Sequence, residues 1–249
     1  MDQKSQEELK QRYMAAVHSF IDKVKDDPGM IAVIVSGSVA YDVVWEKSDI
    51  DTTVIVRDQV LKNNSYCIVE DGITINVNLM TRSEFKRAIE GNIGGSWFQS
   101  YLSNGKIMYS TDESLAEYFE ECKNIGDDDM ALAIFTMAGE LIDIHDKAKK
   151  WLLVRKDPVY AQYFLLKAAE PIARMEVCMA GIPVSRNSIQ KTLQMNPEVI
   201  TPFYRDAMTH LFSEEEILSC IEKIDTYLEK HLDIIKKPVI TFIDRKSTR

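Results

Sequence analysis

The sequence predicts an α+β fold built in two parts: a first half that combines strands with helices, followed by an all-helical bundle. Short apolar runs rich in β-branched residues, separated by turn signals, are confined to the first half of the 249-residue chain. After the stretch NIGDDD (124–129), each apolar segment instead repeats with the period of an α-helix. We therefore predict an α+β domain over residues 1–125 and a helical bundle domain over residues 126–249.

A leading helix and five strands are predicted in the first domain. Apolar residues recur at helical spacing from Gln6 to Lys25, and an Asp-Pro-Gly sequence at 27–29 ends that helix. The strands are predicted from short runs rich in Val, Ile and Thr. They cover residues 31–36, 51–56, 66–69, 73–80 and 106–110.

Local signals mark the turns and the remaining helices of this domain. The pair Asp71-Gly72 between two strand runs predicts a β-hairpin. Thr81, followed three residues later by Glu84, predicts a capping box that opens a helix near residues 83–90. Further helical segments are predicted near residues 96–102 and 113–122.

The second domain is predicted to contain only helices. Asp157 before Pro158 predicts an N-cap followed by proline at the first helical position. Pro171 predicts a kink or a break within its helix, because proline removes a backbone donor. The basic C-terminal end, KKPVITFIDRKSTR (236–249), is interpreted as a solvated tail. The helices cover residues 130–153, 158–180, 187–195, 197–211 and 214–235.

Charge and composition argue against several classes of function. The net charge of −9 disfavours binding of nucleic acid, whose phosphates require a basic surface, and favours a small cationic substrate. No apolar run approaches a membrane span and the N-terminus is polar, so we expect no membrane partner and a cytoplasmic location. The four cysteines form no CxxC pair, which predicts free thiols rather than a zinc or redox site.

Gly37, Ser38, Asp49 and Asp51 form the strongest candidate site. A small turn after a buried strand lets backbone N–H groups approach a phosphate. Since residues i and i+2 of a strand share a face, Asp49 and Asp51 should aim at one point, where their repulsion favours a divalent cation. Oxygen ligands indicate Mg²⁺, with Mn²⁺ as a substitute. Either feature alone is common as a plain turn or a solvated strand end; together they predict a site.

The segment GSVAYDVVWEKSDIDTTVIV (37–56) resembles the Gly-Ser…Asp-x-Asp signature of the nucleotidyltransferase superfamily, the DNA polymerase beta-like proteins. The layout of the chain is most similar to kanamycin nucleotidyltransferase and related aminoglycoside nucleotidyltransferases. The resemblance implies a nucleotidyltransferase-type mixed sheet followed by the helical bundle. It implies that Gly37 and Ser38 grip a nucleoside triphosphate, and that Asp49 and Asp51 bind Mg²⁺.

The same resemblance implies an activity. A nucleoside monophosphate would move from a nucleoside triphosphate, with ATP as the expected co-substrate, to a hydroxyl group, and pyrophosphate would leave. The acidity of the chain suits a small cationic acceptor of the aminoglycoside kind, and a protein hydroxyl is an open alternative. The related antibiotic-modifying enzymes include dimers with shared sites, which favours a homodimer.

A segment of the second domain, DIHDKAKKW (143–151), also resembles the kanamycin enzyme. By this resemblance Asp146 would be the base that deprotonates the acceptor hydroxyl, and Lys150 would contact the triphosphate. The plain alternative is a solvent-facing ion pair on one helix face. His145 is an alternative base. Four acidic residues could contact the acceptor, and their roles stay open: Glu140, Asp143, Glu170 and Glu176.

Two departures from the family pattern support an alternative function. Asn76 stands where a third carboxylate is expected, with Asn78 on the same face, and an amide brings no charge and cannot act as a base. The nearby Glu70 and Asp71 replace that acid only if the hairpin places them well. Where many members carry a basic residue after Gly-Ser, this chain has a tyrosine and an aspartate at 41 and 42. The alternative is a catalytically silent nucleotide-binding or protein-interaction module.

Overall fold

The structure, a computed structural model, describes residues 3–39, 44–90, 104–121 and 126–247. These residues form two compact units, and each has its own hydrophobic core. The first unit comprises the described residues up to 121, and the second comprises residues 126–247. The predicted helical segment at 96–102 lies outside the described residues.

The first unit is built on a five-stranded mixed sheet with the strand order β3-β4-β2-β1-β5. Strands β2 and β4 run parallel, and the other neighbouring strands run antiparallel, which confirms the predicted mixed sheet. All five predicted strands are present within one residue of their expected ends. They are β1 (Met30–Ser36), β2 (Ile50–Val56), β3 (Ser65–Glu70), β4 (Ile73–Thr81) and β5 (Lys106–Ser110).

Alternation along the strands separates two apolar faces of this sheet. Helix α1 (Gln3–Val24) covers one face and packs side chains such as Val17 against Val33 and Val35. The other face packs Ile34 and Ile55 against Phe85 and Phe119. Those two aromatic rings come from α2 (Arg82–Glu90) and α3 (Glu113–Glu121).

The turn and cap predicted in this unit are confirmed. Asp71 and Gly72 join β3 to β4 with φ values of +50° and +75°, the left-handed conformation that a tight hairpin turn requires. At the start of α2, the backbone N–H of Thr81 donates to Glu84 Oε2 at 2.8 Å. The backbone N–H of Glu84 in turn donates to Thr81 Oγ1 at 3.2 Å, so the capping box is complete.

The second unit is entirely helical within the described residues, which confirms the α+β sheet followed by a helical region. Two long helices, α4 (Asp127–Leu153) and α5 (Pro158–Met179), pack side by side around a core that includes Leu141 and Ile172. Asp157 accepts a hydrogen bond from the Tyr160 backbone at 2.9 Å, as expected of an N-cap. The shorter elements are α6 (Ser188–Met195), α7 (Pro197–Ile200), a π-turn (Pro202–Asp206), α8 (Ala207–Thr209), α9 (Glu214–Lys230) and α10 (Leu232–Ser247).

Three local expectations differ from the structure. Helix α5 continues through Pro171, because the proline is buried in the core and packing outweighs the lost hydrogen bond. The helix expected over 197–211 is broken at Pro202, where Asp206 N bonds to Thr201 O in a π-turn.

The C-terminal segment is largely exposed to solvent, as expected, but it forms a helix. Helix α10 extends to Ser247, because Ile234 and Ile235 pack against the core and order the segment that follows. Lys237 Nζ lies 3.5 Å from Asp128 Oδ1 of α4.

None of the helices in the described ranges has the length and apolarity needed to cross a membrane.

Candidate active site

Three polar side chains form a row across the centre of the sheet in the first unit. Ser36 at the end of β1 pairs with Asp51 of β2, and Asp51 pairs with Asn76 of β4. Residues directly opposite each other point to the same face, here the face that carries α2 and α3. Asp49 precedes β2 by one residue, so it lies next to this row.

The carboxylates of Asp49 and Asp51 both accept hydrogen bonds from one atom of Asn76. The side-chain nitrogen of Asn76, Nδ2, donates to Asp49 Oδ2 at 2.5 Å and to Asp51 Oδ1 at 3.3 Å. Because both partners are acceptors, the NH₂ group of the amide must face them. The two carboxylates therefore converge, as the i, i+2 spacing predicts.

The Gly37–Val39 turn lies directly against Asp51. It is a single 3₁₀ turn that follows β1, and Gly37 has φ +72°. A Cβ atom at position 37 would lie only 2.7 Å from Asp51 Oδ2. Glycine is thus required both by the backbone conformation and by the approach of the carboxylate. The backbone of Ser38 belongs to the same turn.

The residues at this point fit a small divalent cation. Mg²⁺ is commonly held by one or two carboxylates, with waters and substrate phosphates completing its coordination. Asp49 and Asp51 supply two carboxylates within hydrogen-bonding distance of one atom, and Asn76 adds an amide oxygen if its side chain turns. Among the described residues no cluster of three or more His, Cys, Asp or Glu side chains offers a metal site.

Ser36 carries a second unusual feature of this site. It is 1% exposed, and its Oγ has no hydrogen-bond partner among the described residues. An unpaired buried hydroxyl costs about 1–3 kcal/mol, so it calls for an explanation such as an absent ligand or water. The sequence carries a signal for this residue, because Ser36 is the polar end of an otherwise apolar strand.

A pocket of about 340 Å³ opens beside Asp49. Its lining includes Arg12 and Tyr13 of α1 and Lys47 and Ser48 of the segment before β2. The Tyr13 hydroxyl donates to the backbone oxygen of Ser48 at 2.7 Å, which fixes the segment that leads into Asp49. Burial raises the pKa of Tyr13, Arg12 opposes the shift, and the charge of Asp49 adds to it.

Glu70 does not replace the third carboxylate. Its register partner is Ile73, so its side chain lies on the α1 face of the sheet, opposite to Asn76. There it accepts hydrogen bonds from Lys23 Nζ at 2.6 and 2.8 Å and from Ser19 Oγ at 2.6 Å. Asp71 occupies the hairpin turn. Positions 41 and 42, where a basic residue is common in the family, lie outside the described residues.

Asp146 and Lys150 lie on α4 in the second unit, and both are exposed. The Asp146 side chain is 73% exposed, and its Oδ1 lies 3.1 Å from His145 Nδ1. His145 is buried, and its Nε2 lies 3.1 Å from Asp225 Oδ1. Among the ion pairs of the described residues, none joins Asp146 to Lys150. Asp146 is therefore available to a ligand on the surface of this unit.

The other acidic candidates on α4 and α5 differ in their surroundings. Glu140 accepts a hydrogen bond from Arg174 at 3.1 Å. Desolvation raises the pKa of Glu170, the charge of Arg174 opposes the shift, and the charge of Glu140 adds to it. Asp143 pairs with Lys147 one helical turn away. Glu140 and Asp143 are thus each paired with a cation, and Glu170 lies near the charges of both Glu140 and Arg174.

Glu176 has a structural role. Its two carboxylate oxygens accept hydrogen bonds from the Tyr227 hydroxyl and from Asn196 Nδ2, each at 2.9 Å. Burial raises the pKa of Tyr227, and the charge of Glu176 raises it further. A carboxylate tied to two half-buried partners within the bundle joins helices and is not free to meet a substrate.

The sheet order, the parallel β2–β4 pair and the carboxylates at the start of the central strand define a nucleotidyltransferase-type fold. A nucleotidyltransferase-like protein from Exiguobacterium sibiricum 255-15 has a similar solved structure, with a TM-score of 0.62 and 14% sequence identity. The match covers 93% of this chain and 79% of that protein's chain. At this identity the likeness shows the fold alone, and it confirms the fold that the sequence resemblance implies.

A second solved structure is that of spectinomycin adenyltransferase AAD(9) from Enterococcus faecialis, with ATP and spectinomycin. It matches at 14% identity over 86% of this chain and 99% of the other, with a TM-score of 0.39, which is too low to carry an argument. No protein-family model and no curated protein sequence matches this chain.

Proposed function

We propose that this protein is a nucleotidyltransferase that moves a nucleoside monophosphate from a nucleoside triphosphate, ATP by preference, to a hydroxyl group of a small molecule. The observation that carries the proposal is the convergence of Asp49 and Asp51 beside Gly37 on a nucleotidyltransferase-type sheet. A cation site and a turn able to approach a phosphate closely are the two elements that this chemistry requires.

The residues of the first unit have separate tasks in this proposal. Asp49 and Asp51 hold Mg²⁺, and the Gly37–Ser38 turn binds the triphosphate through its backbone. When bound, Mg²⁺ would neutralise negative charge on the α-phosphate and on the departing pyrophosphate. Before the metal binds, Asn76 is hydrogen-bonded to both carboxylates.

In the transfer itself, the acceptor oxygen forms a bond to the α-phosphorus while the bond to the pyrophosphate oxygen breaks. The proton of the acceptor hydroxyl passes to a base. Following the sequence resemblance, we assign this base to Asp146 and a contact with the triphosphate to Lys150. The exposure of Asp146, together with its contact to His145, supports a carboxylate that is accessible and held in place.

We propose a cationic acceptor of the aminoglycoside class. The chain carries a net charge of −9, and the exposed acidic groups of α4 and α5 include Glu140, Asp143 and Glu170. Such a surface attracts polyamine-like molecules and repels nucleic acid. A homodimer remains part of the proposal, and sedimentation of the full chain tests it.

The experiment that tests the function measures pyrophosphate release from ATP and Mg²⁺ against a panel of aminoglycosides. We expect turnover with at least one acceptor. Asp49→Asn and Asp51→Asn should each lower the rate about 10³-fold, since the metal contributes several kcal/mol of charge stabilisation. Asp22→Asn, which removes an exposed carboxylate paired with Lys25 in the same unit, is the matched control.

Asn76 favours a second candidate function, a silent nucleotide-binding module. Its NH₂ group faces both carboxylates and no third acid joins them among the described residues. In that case ATP would bind with Mg²⁺, as calorimetry measures, while no pyrophosphate would appear with any acceptor. Pyrophosphate release that survives Asp49→Asn and Asp51→Asn together would reject the active-site assignment.

A further inference from the structure

Asn76 fills the place between the two carboxylates that a cation would take. Its Nδ2 is 2.5 Å from Asp49 Oδ2 and 3.3 Å from Asp51 Oδ1. The amide therefore donates hydrogen bonds to the same two groups that are proposed to hold Mg²⁺. Asn78 lies two residues further along β4 on the same face, and it makes no such contact with either carboxylate.

Without a positive charge, Asp49 and Asp51 would repel each other. Both carboxylates lie within hydrogen-bonding distance of the same nitrogen, so the two negative charges are close together. Hydrogen bonds from a donor to a carboxylate are about twice as strong as those between neutral groups, so a single NH₂ group with two such bonds offsets part of the repulsion. The amide thus substitutes for a cation without carrying a charge.

A cation that enters this site must displace the amide. The NH₂ group cannot ligate a metal, so it must move away, or the amide must turn so that Oδ1 faces the metal. Either movement breaks both hydrogen bonds. The gain from an amide oxygen ligand is small in comparison, because Mg²⁺ keeps several waters and a water can fill the same position.

We propose that Asn76 is a positioning residue that holds Asp49 and Asp51 together in the metal-free protein and competes with the divalent cation for them. This inference rests on the proposed function only in assigning a cation to these two carboxylates. It predicts that the site binds metal weakly on its own. Occupancy then depends on the triphosphate, whose oxygens add ligands to those of Asp49 and Asp51.

The test compares metal-free stability with metal affinity in the full chain. Mn²⁺ binding is measured by electron paramagnetic resonance and Mg²⁺ binding by calorimetry, both without nucleotide, and thermal unfolding is measured in EDTA. The variants are Asn76→Ala, Asn76→Asp and the near-isosteric Asn76→Leu. Asn78→Ala is the matched control, since it removes the same amide from the same strand and face.

We expect the two quantities to move in opposite directions. Asn76→Ala and Asn76→Leu should lower the metal-free unfolding temperature and bind Mn²⁺ several-fold more tightly, since the competing donor is gone. Asn76→Asp adds a third negative charge, so it should destabilise the metal-free protein most and raise Mn²⁺ affinity about tenfold or more. Asn78→Ala should change neither quantity.

Weaker Mn²⁺ binding by both Asn76→Ala and Asn76→Leu would overturn the inference, since Asn76 would then contribute to metal binding. The proposed function would not be affected by that result. Unchanged metal-free stability in these variants would also overturn it. If no variant and no wild-type protein binds Mn²⁺, the inference and the metal-dependent function both fail. If the opposite shifts appear but no pyrophosphate is released with any acceptor, the inference holds and only the transferase proposal fails.

Discussion

Gly37 and Asp51 approach each other so closely that no side chain can stand between them. With φ +72° at Gly37, a Cβ atom would lie 2.7 Å from Asp51 Oδ2, well inside van der Waals contact. Asp51 belongs to a central strand of the sheet, which fixes its backbone, so a Cβ atom at position 37 would require the carboxylate to rotate away. The turn and the carboxylate are therefore one geometric unit.

Gly37→Ala should destabilise the first unit and displace Asp51. The left-handed conformation alone costs about 1–2 kcal/mol for an alanine, and the clash with Asp51 Oδ2 adds to that loss. Displacement of the carboxylate should also weaken Mn²⁺ binding. Urea denaturation and a Mn²⁺ titration measure the two effects.

Gly181→Ala provides the matched control for this substitution. Gly181 has φ +69°, but a Cβ atom there would meet nothing within 4 Å. Its stability loss should therefore match the strain alone, with Mn²⁺ binding unchanged. Equal losses in the two variants, with metal binding intact in both, would show that the contact with Asp51 has no energetic effect.

Ser36→Ala should leave the stability of the protein unchanged or raise it by up to about 1 kcal/mol. The Ser36 hydroxyl is buried and has no partner in the part of the chain that the structure describes, so its removal should lose no hydrogen bond and relieve a desolvation penalty. If the hydroxyl instead serves a bound ligand, the same variant should weaken binding of ATP and Mg²⁺. Urea denaturation and calorimetry separate these effects.

Ser188→Ala is the comparison for Ser36→Ala. Ser188 is also fully buried, but its Oγ donates to Ser185 O at 2.7 Å and accepts from Ser185 N at 3.1 Å. Its removal should cost about 1–3 kcal/mol, because the buried Ser185 N–H loses its acceptor, while Ser185 O keeps the hydrogen bond from the Ser188 backbone N–H at 3.0 Å. A comparable loss on Ser36→Ala would mean that Ser36 has a partner in solution.

The ion pair of Glu70 should make stability depend on pH. Hydrogen bonds from Lys23 and Ser19 lower the pKa of Glu70 below its ordinary value of 4.5. A carboxyl group with a lowered folded-state pKa contributes stability that is present above the unfolded value and is lost as the pH falls through the folded value. The contribution should therefore be complete at pH 6 and decline below about pH 4.5.

Glu70→Gln tests this dependence. The variant should be less stable than the wild type at pH 6, and the difference should shrink as the pH falls below 4.5, the ordinary value. Urea denaturation at a series of pH values measures it. Asp22→Asn removes an exposed carboxylate from the same helix as Lys23, and Asp22 also has a lowered pKa, through Lys25. If the stability difference between Asp22→Asn and the wild type changed more with pH than that of Glu70→Gln, the proposed contribution of Glu70 to the pH dependence would be contradicted.

Local sequence signals predict much of this fold. The strands, the Asp71-Gly72 hairpin and the Thr81–Glu84 capping box depend on neighbours within a few residues, and all three appear as expected. The convergence of Asp49 and Asp51 follows from their spacing. Such features need no knowledge of how distant segments meet.

Contacts between distant segments lie beyond such signals. The bridge from Asn76 to the carboxylates depends on the parallel register of β2 and β4, which pairs Asp51 with Asn76 across 25 residues of sequence. The uninterrupted helix at Pro171 and the ordered C-terminal helix α10 depend on packing against the bundle core. In each case tertiary contacts outweigh the local preference.

Asp146 and Lys150 have separable roles in the proposed reaction, and kinetics can distinguish them. Asp146→Asn should lower kcat about 10²–10⁴-fold, the usual contribution of a general base, with little change in the KM for ATP. Lys150→Ala should mainly raise the KM for ATP, since it removes a charge that contacts the triphosphate in the ground state.

Lys149→Ala, one residue away and equally exposed, is the control for the loss of a positive charge on α4. It should leave both constants near the wild-type values. Mn²⁺ binding in the absence of nucleotide should be unchanged in all three variants, because the proposed ligands lie in the first unit. A kcat for Asp146→Asn close to that of the wild type would remove Asp146 from the reaction and leave His145 as the next base to test by substitution.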